Sequence, residues 1–187
     1  MTNALSHLPG CSCCLPAGFR LGLGRRGMLG LAAGMLAAPL LAPRAHAEDG
    51  KAFDAMLLTC IDPRLVTPVN AWMAGQGLQG KFSQFAIAGA AVGVVAPAFA
   101  TWAPAFWDNL GASIQLHKIG RVIVVNHRDC GAAQIAYGAE AVATPAAETA
   151  LNQKVYAAFV AEVAKRQPAL KVSGGLMALD GTIEMFG

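Results

Sequence analysis

The chain has 187 residues, with 14 Lys and Arg against 11 Asp and Glu for a formal charge of +3, and 55% of it is hydrophobic. That length suits one compact domain. No Lys/Arg-rich patch and no Gly-rich cofactor fingerprint runs through it, which argues against nucleic acid as a partner and against nucleotide chemistry.

Residues 1–47 stand apart. They hold Arg20, Arg25, Arg26 and Arg44 and no acid, then an apolar run from Leu29 to Leu41, then the small-x-small site Ala45-His46-Ala47. This is the layout of a cleaved secretory signal. The adjacent Arg25-Arg26 before a Gly-containing apolar core is similar to a twin-arginine signal, so the expected location is the periplasm. A membrane anchor is the rival reading, but the run falls short of the ~20 residues a spanning helix needs. Cleavage leaves residues 48–187 as one domain with no stable membrane insertion. It keeps ten basic residues and all eleven acids, a net charge of −1. A domain of that size has a modest core, which pairing into a homodimer or higher homo-oligomer would extend. Cys11, Cys13 and Cys14 leave with the leader, so only Cys60 and Cys130 remain, beside His117 and His127.

In chain order, Ala55 to Ile61 is an apolar run of strand length, closed by Pro63. Thr67-Pro68 opens a helix towards Gly75, with proline where its missing N–H does no harm. Phe82 to Ile87 reads as a second strand. Ala98 to Leu116 reads as a helix that Pro104 should bend or divide. Arg121 to Asn126 has no polar alternation, which predicts a strand buried on both faces at the centre of a parallel sheet.

Thr144-Pro145 forms an N-cap and N1 pair. The helix after it carries a stripe of Leu151, Val155, Ala158, Phe159 and Val163, with Asn152, Lys154, Glu162 and Lys165 off it. It should stop near Gln167-Pro168. The remainder reads as strand, turn and strand, with the turn at Asp180-Gly181. Strand–helix alternation predicts an α/β domain with a mainly parallel β-sheet flanked by helices and a C-terminal hairpin.

Ligands of such sheets collect beyond the carboxyl ends of the strands. Cys60 follows the first strand there, and His127 and Cys130 follow the third. Cys2His is a zinc set, and three protein ligands leave a fourth position open for water or substrate. His117 stands at the other end of its strand and is expected on the surface of the preceding helix end. Asp62 and Arg64 lie two and four residues after Cys60, where Arg64 can clamp the carboxylate and keep it ionised. The bland rival is a Cys60–Cys130 disulfide, the usual fate of two cysteines in an oxidising compartment.

Together, Cys-x-Asp-x-Arg after one strand and His-x-x-Cys-Gly after another resemble the β-class carbonic anhydrases. The resemblance runs through "LLTCIDPRL", "GASIQLHKIGRVIVVNHRDCGA" and "VSGGLMALDGTIEMF". It implies zinc on Cys60, His127 and Cys130, with Asp62 and Arg64 orienting the activated water. It also implies reversible hydration of CO2 to bicarbonate by an oligomer with sites near the subunit interface. The family's usual Arg-Asn-Ala-Gly-Asn after the second strand is here Ala86 to Ala90, and its Ser inside the first motif is Pro63. A related small heterocumulene, COS or CS2, is the alternative substrate.

Overall fold

In the computed structural model, which describes residues 53–187, the apolar runs become neighbouring strands. β1 (Ala55–Thr59), β2 (Phe82–Ala86), β3 (Arg121–His127) and β4 (Lys171–Met177) run parallel, and β5 (Ile183–Phe186) returns antiparallel to β4. Their order in the sheet is β2-β1-β3-β4-β5. The leader expected at 1–47 lies outside the described residues.

The centre of the sheet has the predicted double-sided burial. Val122 and Val124 of β3, with Met56 and Leu58 of β1, point into one core; Ile123 and Val125, with Ala55 and Leu57, point into the other. The first core is roofed by α2 (Ala91–Val95), α3 (Ala103–His117) and α5 (Pro145–Arg166), which contribute Val92, Phe106, Leu110, Val155 and Phe159. The second is covered by α1 (Val66–Gly75) through Val69 and Met73. A short α4 (Gly131–Tyr137) follows β3 directly. Phe106 and Phe159 are fully buried, with ring centroids 5.5 Å apart. Truncating either to Ala should cost about 3–5 kcal/mol. No described helix is long and apolar enough to cross a membrane.

Local chemistry explains the element ends. Thr144 caps α5 by accepting from the Ala147 amide at 3.1 Å, and Pro145 fills the first turn. The final hairpin turns through Asp180 and Gly181, where Gly181 takes φ +91° and the Asp180 carboxylate accepts from the Thr182 amide at 2.9 Å. A left-handed position there is the usual demand of a three-residue hairpin loop.

Four expectations need correction. Pro104 neither bends nor divides a helix; it sits in the first turn of α3, where it lacks no hydrogen bond, and the preceding residues form a separate 3-10 turn at Pro97–Phe99. Asn152 is buried rather than off the packed face, because its side chain is fully used: it donates to the Glu148 carbonyl and accepts from Asn126 at 2.8 Å. Ala158 is exposed, and Tyr156 takes the buried place instead. His117, the last residue of α3, is half-buried with its ring edge-on to Phe53 at 5.1 Å.

Candidate metal centre

β1 and β3 are adjacent and parallel, with Thr59 opposite Val125, so both strands end at one edge of the sheet. Cys60 is one residue beyond β1, His127 closes β3, and Cys130 stands at the N-cap of α4. All three are buried, and their ligand atoms lie within 4.8 Å of one another. Both cysteines are free. His117 has no part in the cluster, being at the far end of β3.

The donor set fits a zinc ion. His127 Nδ1 lies 2.8 Å from the Arg128 carbonyl, which accepts only if that nitrogen carries the proton. Nε2 then presents a bare lone pair. It is buried and has no hydrogen-bond partner, a costly state for a polar atom unless something else occupies that direction. Metal-bound imidazoles are typically fixed this way, by a carbonyl that accepts from the nitrogen facing away from the ion.

The thiols are tuned as a pair. A hydrogen bond from Cys130 holds Cys60 far below the ordinary thiol range; burial opposes this, while His127 and the Gly89 and Asp62 amides assist it. Cys130 is pushed up, first by that shared hydrogen bond and then by burial, with backbone amides at the start of α4 pulling the other way. Burial presses His127 down, but the charge of Cys60 and the Arg128 carbonyl leave it raised overall. One thiolate is therefore already favoured at the centre, and thiolate is the form that binds metal.

Gly89 is the least expected contributor. Its amide donates to Cys60 Sγ at 3.2 Å, its φ is +81°, and an added Cβ would lie 2.9 Å from Val92 Cβ. The next residue, Ala90, takes φ +50° without being glycine. Asn126 holds this turn by accepting from the Ala91 amide at 3.1 Å, and is itself held by Asn152. The backbone thus does polar work in a stretch, Ala86 to Ala90, with no polar side chain.

Asp62 and Arg64 are clamped as expected. Arg64 Nη2 and Nε reach the Asp62 carboxylate at 2.7 to 3.1 Å, and the Arg64 amide adds a bond of 2.9 Å. Arg64 thereby holds the Asp62 carboxyl at about 2. Pro63 suits this turn, since it opens the 3-10 segment Pro63–Leu65 that Asp62 caps. The sequence did not announce a second anchor: Arg64 Nη1 also reaches Asp129 at 2.7 Å.

Two clefts open onto the cluster. One, of about 390 Å³, reaches Cys60, His127 and Cys130 past Ala88, Phe99, Trp102, Ala132 and Ile135. The other, of about 560 Å³, is lined by Asp62, Arg64, Asp129, Gln134 and Glu148 among others. Asp62, Cys130 and Gly131 belong to both.

Residues 50–166, which include all three cluster residues, match a family model described as "Putative carbonic anhydrase". The chain belongs to this family. An uncharacterised protein of Rickettsia conorii is 30% identical over 141 residues, covering 75% of this chain and 76% of its own. A second uncharacterised protein, from Rickettsia bellii, is 28% identical over 141 residues, covering 75% and 86%. Among solved structures, one of two tetrameric β-carbonic anhydrases of Sordaria macrospora aligns at 15% identity and TM-score 0.49, over 74% of this chain and 82% of that one. A carbonic anhydrase of Glaciozyma antarctica aligns at 17% identity and TM-score 0.48, over 75% and 86%. In this member of the carbonic anhydrase family, the residues foreseen at the sheet edge meet in one site. Gly89, through its amide to Cys60, and Asp129, through its bond to Arg64, join them.

Proposed function

We propose that the protein is a zinc-dependent carbonic anhydrase that interconverts CO2 and bicarbonate. The observation that carries this reading is the unpartnered Nε2 of buried His127 beside two free thiols, one of them favoured as thiolate. Cys60, His127 and Cys130 would hold the ion and leave its fourth position open. Zinc, when bound, supplies the Lewis acidity that makes water a nucleophile near pH 7. Asp62, ionised at all ordinary pH, can only accept a hydrogen bond, so it would orient the reacting water by accepting from it, with the water's proton passing to solvent. Arg64 keeps Asp62 from turning inward as a further ligand. The apolar walls of the smaller cleft suit a small linear molecule without charge.

The same reading includes export and assembly. Residues 1–47 would direct folded protein through the twin-arginine route to the periplasm, leaving residues 48–187 as the mature domain. The exposed Ile61, Trp102 and Ile135 around the apolar mouth would meet a second subunit. Replacing Arg25-Arg26 by Lys-Lys should then retain the protein in the cytosol.

The direct test is metal analysis and stopped-flow CO2 hydration of purified protein beside Asp62→Asn. About one zinc per chain is expected in both, with hydration in the first and little in the second. Protein that holds zinc but hydrates CO2 no faster than free zinc overturns the activity.

A further inference from the structure

Glu148 is an acid in the first turn of α5, yet only 8% exposed. A carboxylate that far from water needs partners, and the ones it has lie in the loop between His127 and Cys130. Oε1 accepts from the Asp129 amide at 2.7 Å, and Oε2 faces Arg128 Nη1 at 3.4 Å. We propose that Glu148 is a positioning residue for the metal centre, acting through Asp129 and Arg64 to set the orientation of Asp62. The proposal rests on the reading of Asp62 as the group that faces the reacting water.

The chain of contacts is continuous. Asp129 takes φ +56°, a left-handed conformation uncommon outside glycine, though more open to aspartate than to most residues. Glu148 holds the residue in that pose by accepting from its amide at 2.7 Å. In this pose the Asp129 carboxylate and carbonyl both face Arg64, at 2.7 Å and 3.1 Å. Arg64 turns its remaining donors to Asp62, at 2.7 to 3.1 Å. Each side-chain link between Asp129, Arg64 and Asp62 is charge-assisted, so direction as well as energy passes along it. Arg128, next in the same loop, is tied down independently by Thr149 at 2.9 Å and Glu184 at 3.0 Å.

A purely structural role would be to favour the helix start, where negative charge is stabilising. That role needs neither burial nor a bond to the ligand loop, and Thr144 already caps the helix. Losing Glu148 should let Asp129 relax, leave Arg64 with one anchor instead of two, and free Asp62 to reach the metal.

The test uses full-length protein loaded with cobalt in place of zinc. Glu148→Ala should remain folded by circular dichroism and keep one metal per chain. Its cobalt visible spectrum should shift as a carboxylate joins the ion, and CO2 hydration should fall about ten- to a hundredfold. Glu148→Gln, which keeps an oxygen for the Asp129 amide, should restore the spectrum and most of the rate. Adding Asp62→Asn to Glu148→Ala should return the spectrum to that of wild type, identifying the intruding ligand. A folded Glu148→Ala with an unaltered spectrum overturns the proposal. If Glu148→Ala does not fold, Asp129→Gly keeps the amide that Glu148 accepts from and the left-handed backbone but removes the next link, the carboxylate that anchors Arg64, and an unaltered spectrum there overturns the proposal equally. An inactive wild type would defeat the CO2 reading and leave the spectral test standing.

Discussion

The two clefts that meet at the cluster are built by different physics. The apolar wall is assembled from short, sequence-distant pieces: the turn before α2, the Phe99–Trp102 pair stacked at 4.1 Å, and the outer face of α4. Its shape comes from packing and from backbone turns such as Gly89–Ala90. The polar wall is a lattice of ionic hydrogen bonds, Asp62–Arg64–Asp129–Glu148–Arg128, whose members fix one another's direction. Packing tolerates small displacements at modest cost, whereas a bonded lattice loses direction when any member goes. Damage on the apolar side should therefore appear first in binding and stability, and damage on the polar side in rate.

The largest expected effect comes from the residues both walls serve. Cys60→Ser, His127→Ala and Cys130→Ser should each abolish stoichiometric zinc, measured by metal analysis of purified protein, and with it all hydration activity. Retention of a full zinc by any one of them would mean that the cluster is not the metal site.

Gly89→Ala ranks next and probes the apolar side where it touches a ligand. The added methyl meets Val92 Cβ at 2.9 Å and Ala132 Cβ at 3.1 Å, at φ +81°. Strain of this kind costs about 1–3 kcal/mol, and displacing the amide that donates to Cys60 Sγ should lower zinc affinity by about ten- to a hundredfold. Chelator competition together with thermal melting measures both. A melting drop with unchanged affinity would reduce the Gly89–Cys60 contact to packing alone.

Much of this arrangement was legible in the sequence, for reasons that also mark where legibility ended. β1 and β3 announce themselves because a strand buried on both faces leaves an unbroken apolar run, and the parallel sheet then forces Cys60, His127 and Cys130 to one edge. Hydrophobic periodicity cannot separate a polar residue in water from one whose bonds are all satisfied inside, which is why Asn152 and Glu148 went unseen. Glu148 lies in the Ala-rich stretch Ala139 to Ala150, where no pattern sets it apart. At five residues, α2 is too short for a helical period to emerge. Gly89 acts through its backbone, and no residue type advertises that.

Trp102→Ala tests the outer apolar wall, at smaller scale. The ring is stacked on Phe99 but 38% exposed, so the lost aromatic pairing should cost about 0.5–1.5 kcal/mol. Steady-state kinetics should show a higher KM for CO2 with kcat nearly unchanged. A fall in kcat at constant KM would contradict the division of labour between the walls.

The smallest effect is one of pH, and it isolates the polar side. Arg64 holds the Asp62 carboxyl at about 2, against an ordinary value of 3.8. A carboxyl depressed by folding contributes its stability above the ordinary value and loses it as pH falls through the depressed one. The melting-temperature gap between wild type and Asp62→Asn should therefore be flat from pH 7 to pH 5. It should shrink below about pH 4, with most of the charge-dependent part lost by about pH 2 and the rest below it. The gap will be small, because Arg64 sits half in water and solvent screens the pair. Because Asp62 is already ionised between pH 5 and pH 8, it cannot be the group behind any acid limb of a pH–rate profile in that window. A gap that changes between pH 7 and pH 5 would show that Asp62 titrates there, and that the clamp does not hold it as an obligate acceptor.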